Sequence, residues 1–354
     1  MKALVCRAPG EAPAVEDIEL PPVGPGDIRV RILAAGVCHT DLSMLNGTLS
    51  PMFPLVLGHE ATGVVLEAGD GAGFATGDRV VLNWSPACRT CWYCQHGEPW
   101  ICETSGIPSQ PRGDLHVTLG LGALAEEVVV RANAAVGVPE DVPAEQAALL
   151  GCAALTGVGA VRNTAGVQPG DSAVVLGLGG VGLSVVLAAR AAGAGPVIAV
   201  DVAEGKREAA LAAGATDFLL ADGGLAKAVR ALTGGRGADH AFECVGRSAS
   251  ITAAWKSTRR GGRVTVVGIG RRDDIVSLSA LEIFHSARTL CSSVYGSSDP
   301  DADLPALAQS IVDGTLDLSP LVSHRIGLDE APEAFARMER GEGARSVVLF
   351  APLG

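Results

Sequence analysis

The chain has 354 residues, 48% of them hydrophobic and 19% charged, with a formal net charge of −12. This length exceeds one ordinary core and predicts about two domains, and the composition is that of a globular chain rather than a disordered one. The acidic balance, without any run of Lys or Arg, argues against nucleic acid and anionic membrane as partners and favours a small molecule.

The opening stretch MKALVCRAPGEA has no sustained apolar segment and reads as a first strand, so a cytoplasmic chain is expected. Short β-rich runs follow at 27–38, 61–69, 77–84 and 125–132, set between Gly and Pro turn signals. They predict a partly barrelled antiparallel domain. Near Gly151 the pattern changes: strand candidates starting at Ala173, Val197, Asp217, Asp239, Arg263 and Arg288 alternate with Ala-rich helical stretches. Alternation at this spacing predicts a doubly wound parallel sheet, so the fold class is α/β. The uncharged stretch 172–189 has about the 18-residue length of a membrane span. Glycines interrupt its first half, and Asp171 and Arg190 close it, so it reads as strand, turn and helix start. Beyond Tyr295 come two helical segments, around 304–312 and 329–340, and a last strand at 346–350; this tail is expected to return to the first domain.

VVLGLGGVG (174–182) contains G-x-G-x-x-G as Gly177, Gly179 and Gly182, with Gly180 and Val181 between. The motif follows a predicted strand and opens a predicted helix, and the next strand ends at Asp201, nineteen residues beyond Gly182. That context predicts a dinucleotide site with the pyrophosphate at the helix N-terminus. Asp201 can accept from both adenosine ribose hydroxyls and repels a 2′-phosphate, which favours NAD over NADP. Lys206 lies close enough in sequence to flank the ribose.

CRTCWYCQHGEPWIC (88–102) carries Cys88, Cys91, Cys94 and Cys102. Four thiolates at short spacing suit tetrahedral zinc, and a site closed by four protein sulfurs would be structural. An iron–sulfur cluster and disulfides are the alternatives. The first three cysteines match a ferredoxin opening, but the continuation does not, and a reducing compartment disfavours disulfides. Cys38, His59 and Cys152, from GVCHTD, LGHEATG and LLGCAALTG, are three further donors of the Cys2His type. Such a set leaves zinc a fourth position for substrate.

The motifs GVCHTD, LGHEATGVV, the cysteine lobe, GCAALTG, GLGGVG and GARSVVLF together resemble the zinc-containing medium-chain alcohol dehydrogenases over essentially the whole chain. The resemblance implies a GroES-like, mainly β catalytic domain (1–153 and 295–354, with the zinc lobe at 88–102) and a Rossmann NAD-binding domain (154–294). It implies two zinc ions per chain, catalytic at Cys38, His59 and Cys152 and structural at the four-cysteine lobe. It also implies NAD as cofactor and assembly as a homodimer or homotetramer. By the same resemblance Thr40 supplies a hydroxyl to the alcohol, Asp41 orients His59, and Glu60 is an acid behind the zinc. His39 and Arg345 match contacts to the NAD pyrophosphate. Thr156, Val181 and Ile269 match positions around the nicotinamide, and Trp84, with Ile269, the wall of the substrate pocket.

The remaining cysteines and histidines read as core or surface. Two departures bear on substrate. Many relatives have histidine where this chain has Ser43, so the end of the proton relay is altered. The stretch 46–54 lacks the acidic residues of the glutathione-dependent formaldehyde branch, and the segment 102–126 is shorter than in the animal enzymes. The expected function is reversible hydride transfer between an alcohol and NAD+. The alternatives are a thiol-adduct formaldehyde dehydrogenase, an alcohol:acceptor oxidoreductase that retains NAD, and, in a different class, a non-catalytic NAD-binding protein.

Overall fold

The computed structural model describes residues 1–105 and 114–350. The chain divides into two compact units, Met1–Leu155 with Asp299–Gly354, and Thr156–Ser298. The expected division points were 153/154 and 294/295.

The first unit is mainly β. Its larger sheet has seven strands, with Val322–Ile326, Arg345–Leu349, Asp27–Gly36, Ala61–Ala68, Arg79–Leu82 and Ala135–Gly137 in order and Glu127–Arg131 also paired to Asp27–Gly36. Asp27–Gly36 sits at its centre because its side chains alternate: Ile28, Val30 and Ile32 are buried, while Arg29 and Arg31 point outward. Each buried aliphatic contributes about 1.5–3 kcal/mol, and Arg29 pairs with Glu127 on the outer face at 2.5 Å. The C-terminal strand Arg345–Leu349 runs antiparallel to Asp27–Gly36, so the tail pairs with this unit. A second sheet joins Ala14–Asp17, Lys2–Cys6, Leu55–Val56 and His116–Val117.

The second unit carries a six-stranded sheet in the order Asp217–Leu220, Val197–Asp201, Ala173–Leu176, Ala238–Glu243, Thr258–Val266, Thr289–Ser292, every neighbouring pair parallel. The strand order reverses between Ala173–Leu176 and Ala238–Glu243, the place where such sheets bind ligands beyond their C-terminal ends. The predicted strand at Arg288 is cut short at Ser292, because Tyr295, Gly296 and Ser297 are all left-handed. The side-chain amide of Asn163 donates to the carbonyls of Gly296 and Ser297 and holds that turn.

The uncharged stretch 172–189 resolves into the strand Ala173–Leu176 and the helix Gly180–Ala191. A different helical run, Ala144–Ala165, is long and apolar enough to cross a membrane, with mean hydropathy 1.3 over a window that is 83% buried. That burial is the mark of a core helix.

Candidate active site and metal centres

Three separate elements of the first unit converge on Cys38, His59 and Cys152. Cys38 is the extended residue that begins the helix His39–Leu45. The first turn of that helix buries Asp41, whose Oδ1 accepts from the Gly58 N–H at 3.0 Å. Gly58 has φ +99°, and a Cβ there would stand 2.2 Å from the Leu124 nitrogen, so no other residue can bring the chain past this point. His59 follows directly. Cys152 lies in a widened, π-helical stretch, Leu150–Ala154. Its neighbour Gly151 packs so close to the Leu82 carbonyl that a Cβ would lie 2.3 Å from it.

The donor atoms of Cys38, His59 and Cys152 all lie within 4.8 Å of one another, and all three residues are buried. Nε2 of His59 is 3.5 Å from Sγ of Cys152, while Nδ1 faces Asp41 Oδ2 at 3.0 Å. Donors on a tetrahedral zinc, about 2.0–2.3 Å from the metal, stand roughly 3.3–3.8 Å apart. The cluster therefore fits zinc, with three protein donors and one position left open.

The Cys38 thiol is pulled well below its usual value, first by a hydrogen bond from Cys152 and then by the charges of Arg345 and His59 working against burial. Cys152 is pushed up, because it keeps the proton of the pair and is buried. Burial alone would lower the His59 imidazole, but Asp41 and Cys38 outweigh it and raise it well above its usual value. Zinc would have to displace the protons held by Cys152 and His59, so its binding would release protons. Glu60, just behind, is pushed up to about 7, chiefly by burial, with Arg345 pulling back.

The structure places the other expected residues as follows. Thr40 is half-buried and His39 exposed, both on the helix that Cys38 begins. Trp84 packs partly buried against the first unit's core. Arg345 is buried, donates to the Val37 carbonyl at 2.9 Å and stands 3.5 Å from Glu60 Oε2. The pairing of Arg345 with Glu60 spans most of the chain length and has no signature in sequence spacing.

Cys88, Cys91, Cys94 and Cys102 form the second cluster, again with all sulfurs within 4.8 Å. The Cys88–Cys94 and Cys91–Cys102 separations are 4.0 and 3.8 Å, close to the edges of a zinc–sulfur tetrahedron and far beyond the ~2.05 Å of a disulfide. Backbone N–H groups of Cys91 and Thr90 point at the Cys88 sulfur at 3.2 and 3.4 Å, as thiolates require. Hydrogen bonds, led by the Thr90 hydroxyl, lower Cys88 to about 5, and burial first of all pushes Cys94 up to about 12. His96 takes no part; it stacks on Trp92. Arg89, in the left-handed region at φ +63°, reaches out of the lobe to Asp299 and Asp301. That anchor was not legible in the sequence.

The dinucleotide motif lies in the second unit as its context predicts. Gly177, at φ +89°, turns the chain out of Ala173–Leu176, and Gly182 packs so tightly that a Cβ would be 1.8 Å from the Gly177 oxygen. A Cβ on Gly179 would meet open space at the start of the helix Gly180–Ala191, which leaves room for a phosphate against the backbone. Gly180 is buried and Val181 half-buried in the first helical turn. Asp201 stays partly exposed; its Oδ2 accepts from Leu178 N at 2.7 Å and its Oδ1 from Ala203 N at 3.0 Å. Lys206 is buried nearby in sequence, Thr156 is buried at the unit's first residue, and Ile269 is 64% exposed.

Residues 24–140 match the family described as Alcohol dehydrogenase GroES-like domain, and residues 180–313 match Zinc-binding dehydrogenase. The chain is 34% identical over 367 residues to an S-(hydroxymethyl)glutathione dehydrogenase of Escherichia coli O1:K1 / APEC, covering 99% of each. It is similar to the crystal structure of benzyl alcohol dehydrogenase from Acinetobacter calcoaceticus, with TM-score 0.92, 27% identity and 99% of each chain covered. A zinc-binding dehydrogenase from Sinorhizobium meliloti 1021 bound to NADP matches with TM-score 0.84, 27% identity and 99% of each chain covered. With its GroES-like unit, its parallel Rossmann-type sheet and its two zinc-fitting clusters, the chain belongs to the zinc-containing medium-chain alcohol dehydrogenase family.

Proposed function

We propose that the protein is an NAD-dependent and zinc-dependent alcohol dehydrogenase that interconverts an alcohol and its aldehyde or ketone. The observation that carries this reading is the buried Cys38–His59–Cys152 set, three donors with a fourth position open. Cys38, His59 and Cys152 would hold the catalytic zinc, and the four lobe cysteines a structural one. A zinc ion in a three-donor site supplies a Lewis acid that acidifies an alcohol hydroxyl and polarises a carbonyl. NAD supplies the hydride acceptor, and the protein supplies position and charge.

The chain's own residues divide the remaining work. The Asp41 carboxylate, 3.0 Å from Nδ1 of His59, orients the ring so that Nε2 faces the sulfurs. The Thr40 hydroxyl takes the alcohol proton and hands it on. Serine at position 43 titrates far from neutral pH and is a poor end for that relay. Gly177, Gly179 and Gly182 let the pyrophosphate approach the helix N-terminus. Asp201 offers its outer face to the ribose hydroxyls and repels a 2′-phosphate; the NADP bound by the Sinorhizobium protein makes this choice worth testing.

A thiol-adduct substrate is the second reading, favoured by the name of the Escherichia coli relative. The stretch 46–54, without a carboxylate, speaks against it. The deciding experiment is a panel of alcohols, aldehydes and S-(hydroxymethyl)glutathione with NAD and with NADP, with metal counted by elemental analysis. Turnover of simple alcohols with NAD and about two zinc per chain is expected. Turnover confined to the glutathione adduct would select the second reading, and none with any substrate would reject both.

We further propose a cytoplasmic homo-oligomer acting on small molecules. Metal-ligand cysteines suit a reducing compartment. Among the described residues the strand Thr289–Ser292 pairs on one side only, with Thr258–Val266. Around it Ile275, Leu281, Ile283, Phe284, Leu290 and Val294 are exposed. An open edge bearing apolar side chains is satisfied by the same strand of a second copy across a two-fold axis. Leu290→Glu with Phe284→Glu should shift sedimentation to the monomer.

A further inference from the structure

We infer that Glu243 is a positioning residue for the dinucleotide site, holding the loop Cys244–Arg247 against the glycine-rich turn; this rests on the nucleotide reading of that turn. Glu243 ends the strand Ala238–Glu243, opposite Leu176, the residue before Gly177. It is fully buried, and among the described residues no cation pairs with it. An unpaired carboxylate is expensive to bury, so the fold must use it as an acceptor.

That is what its contacts show. Oε1 accepts from the N–H of Val245 at 2.9 Å, the N–H of Gly246 at 2.8 Å and the hydroxyl of Ser250 at 2.7 Å. The backbone carbonyl of the same residue accepts from Val267 N at 2.7 Å and Gly268 N at 3.0 Å. One residue thus gathers donors from two loops that follow adjacent strands. Those loops and the glycine turn touch. A Cβ on Gly177 would lie 2.6 Å from Cγ2 of Val245, and one on Gly268 would lie 2.2 Å from the Gly246 nitrogen. Cys244 N also donates to the Leu176 carbonyl at 2.8 Å. A shift of a few tenths of an ångström in the 244–247 loop is therefore passed to the turn that would receive the pyrophosphate.

Only an acceptor at Oε1 is needed for this role. Oε2 is buried and has no hydrogen-bond partner among the described residues. Glu243→Gln keeps the accepting oxygen; Glu243→Ala leaves the Val245 and Gly246 N–H groups unpaired. Ser250→Ala removes one donor from a half-buried site and leaves the two backbone bonds in place.

The test measures NAD affinity by titration, KM against kcat, bound zinc and thermal stability for the wild type and these three variants. Glu243→Ala should weaken NAD about tenfold or more, with the rise in KM for NAD exceeding any fall in kcat and zinc content unchanged. Glu243→Gln should stay within about threefold of the wild type, and Ser250→Ala should weaken NAD about two- to threefold. Should Glu243→Ala fail to fold, the other two variants decide, a Ser250→Ala protein with wild-type NAD affinity overturning the inference. A folded Glu243→Ala protein that binds NAD normally overturns it, as does Glu243→Gln as damaging as alanine. If the wild type itself binds no dinucleotide, the nucleotide reading falls and this inference with it.

Discussion

Nδ1 of His59 stands 3.0 Å from Oδ2 of Asp41, and both side chains are closed to solvent. In the neutral ring the carboxylate favours the proton on Nδ1, which leaves the lone pair of Nε2 facing the Cys152 sulfur and free for a metal. Asp41→Asn keeps the shape and removes that preference. Zinc affinity at the three-donor site, measured by chelator competition, should fall about 10- to 100-fold, while the four-cysteine lobe keeps its metal. Unchanged affinity would show that Asp41 serves only Gly58.

Arg89 ties the four-cysteine lobe to Asp299 and Asp301 from outside, and a metal held by its four sulfurs would staple it from inside. Cys94→Ser should remove one equivalent of zinc and lower the melting temperature, because metal binding is folding free energy. Arg89→Ala should keep both metals, and the loss of stability should be small because the pair is partly exposed. The same zinc count in Cys94→Ser as in the wild type would contradict a metal in the lobe.

Asp201, proposed above as the ribose acceptor, has a further task that only the structure shows. Its carboxylate accepts from Leu178 N within the glycine turn. Asp201→Gly should raise the NADP to NAD ratio of kcat/KM, and NAD binding should weaken in addition because the turn loses an acceptor. A wild type that already prefers NADP would overturn the assignment.

Thr40→Val keeps the shape of the side chain and removes the relay hydroxyl. A loss of about 10²–10⁴-fold in kcat is expected, against a small loss for Thr40→Ser. Ser43→Ala should cost less than Thr40→Val. Near-normal turnover by Thr40→Val would send the proton by another path.

Acid stability should depend on Asp239. Burial would raise its carboxyl, but the hydroxyl and N–H of Ser172 and the Arg259 guanidinium outweigh it and hold it at about 2, below the ordinary 3.8. A depressed carboxyl stabilises the fold above its unfolded pKa and loses that contribution as pH falls through the folded one. Asp239→Asn should therefore cost about 1–2 kcal/mol near neutral pH. Urea midpoints of the two proteins should converge between the ordinary 3.8 and about 2. A gap independent of pH would point to lost geometry instead of charge.

Local chemistry made much of this protein readable from its residues alone. Thiolates in Cys88–Cys102 are so close in sequence that few chain paths can keep them apart, and G-x-G-x-x-G is a demand of one strand–turn–helix on its own backbone. β-rich runs between Gly and Pro turn signals likewise marked strands of the first unit, and apolar runs alternating with Ala-rich stretches those of the second. Tertiary structure decided the rest. Cys38, His59 and Cys152 lie on three elements far apart in the chain, and only the close passage at Gly58 and Gly151 brings their donors within 4.8 Å. The strand expected to continue past Ser292 stops there because Asn163, from a distant helix, holds three left-handed residues that no local propensity favours. Glu243 reads as a stray acid in an apolar strand, and its use emerges only when the N–H groups of Val245 and Gly246 turn back onto it. A hydrogen bond or a metal site depends on positions to within tenths of an ångström, and packing between distant segments sets those positions.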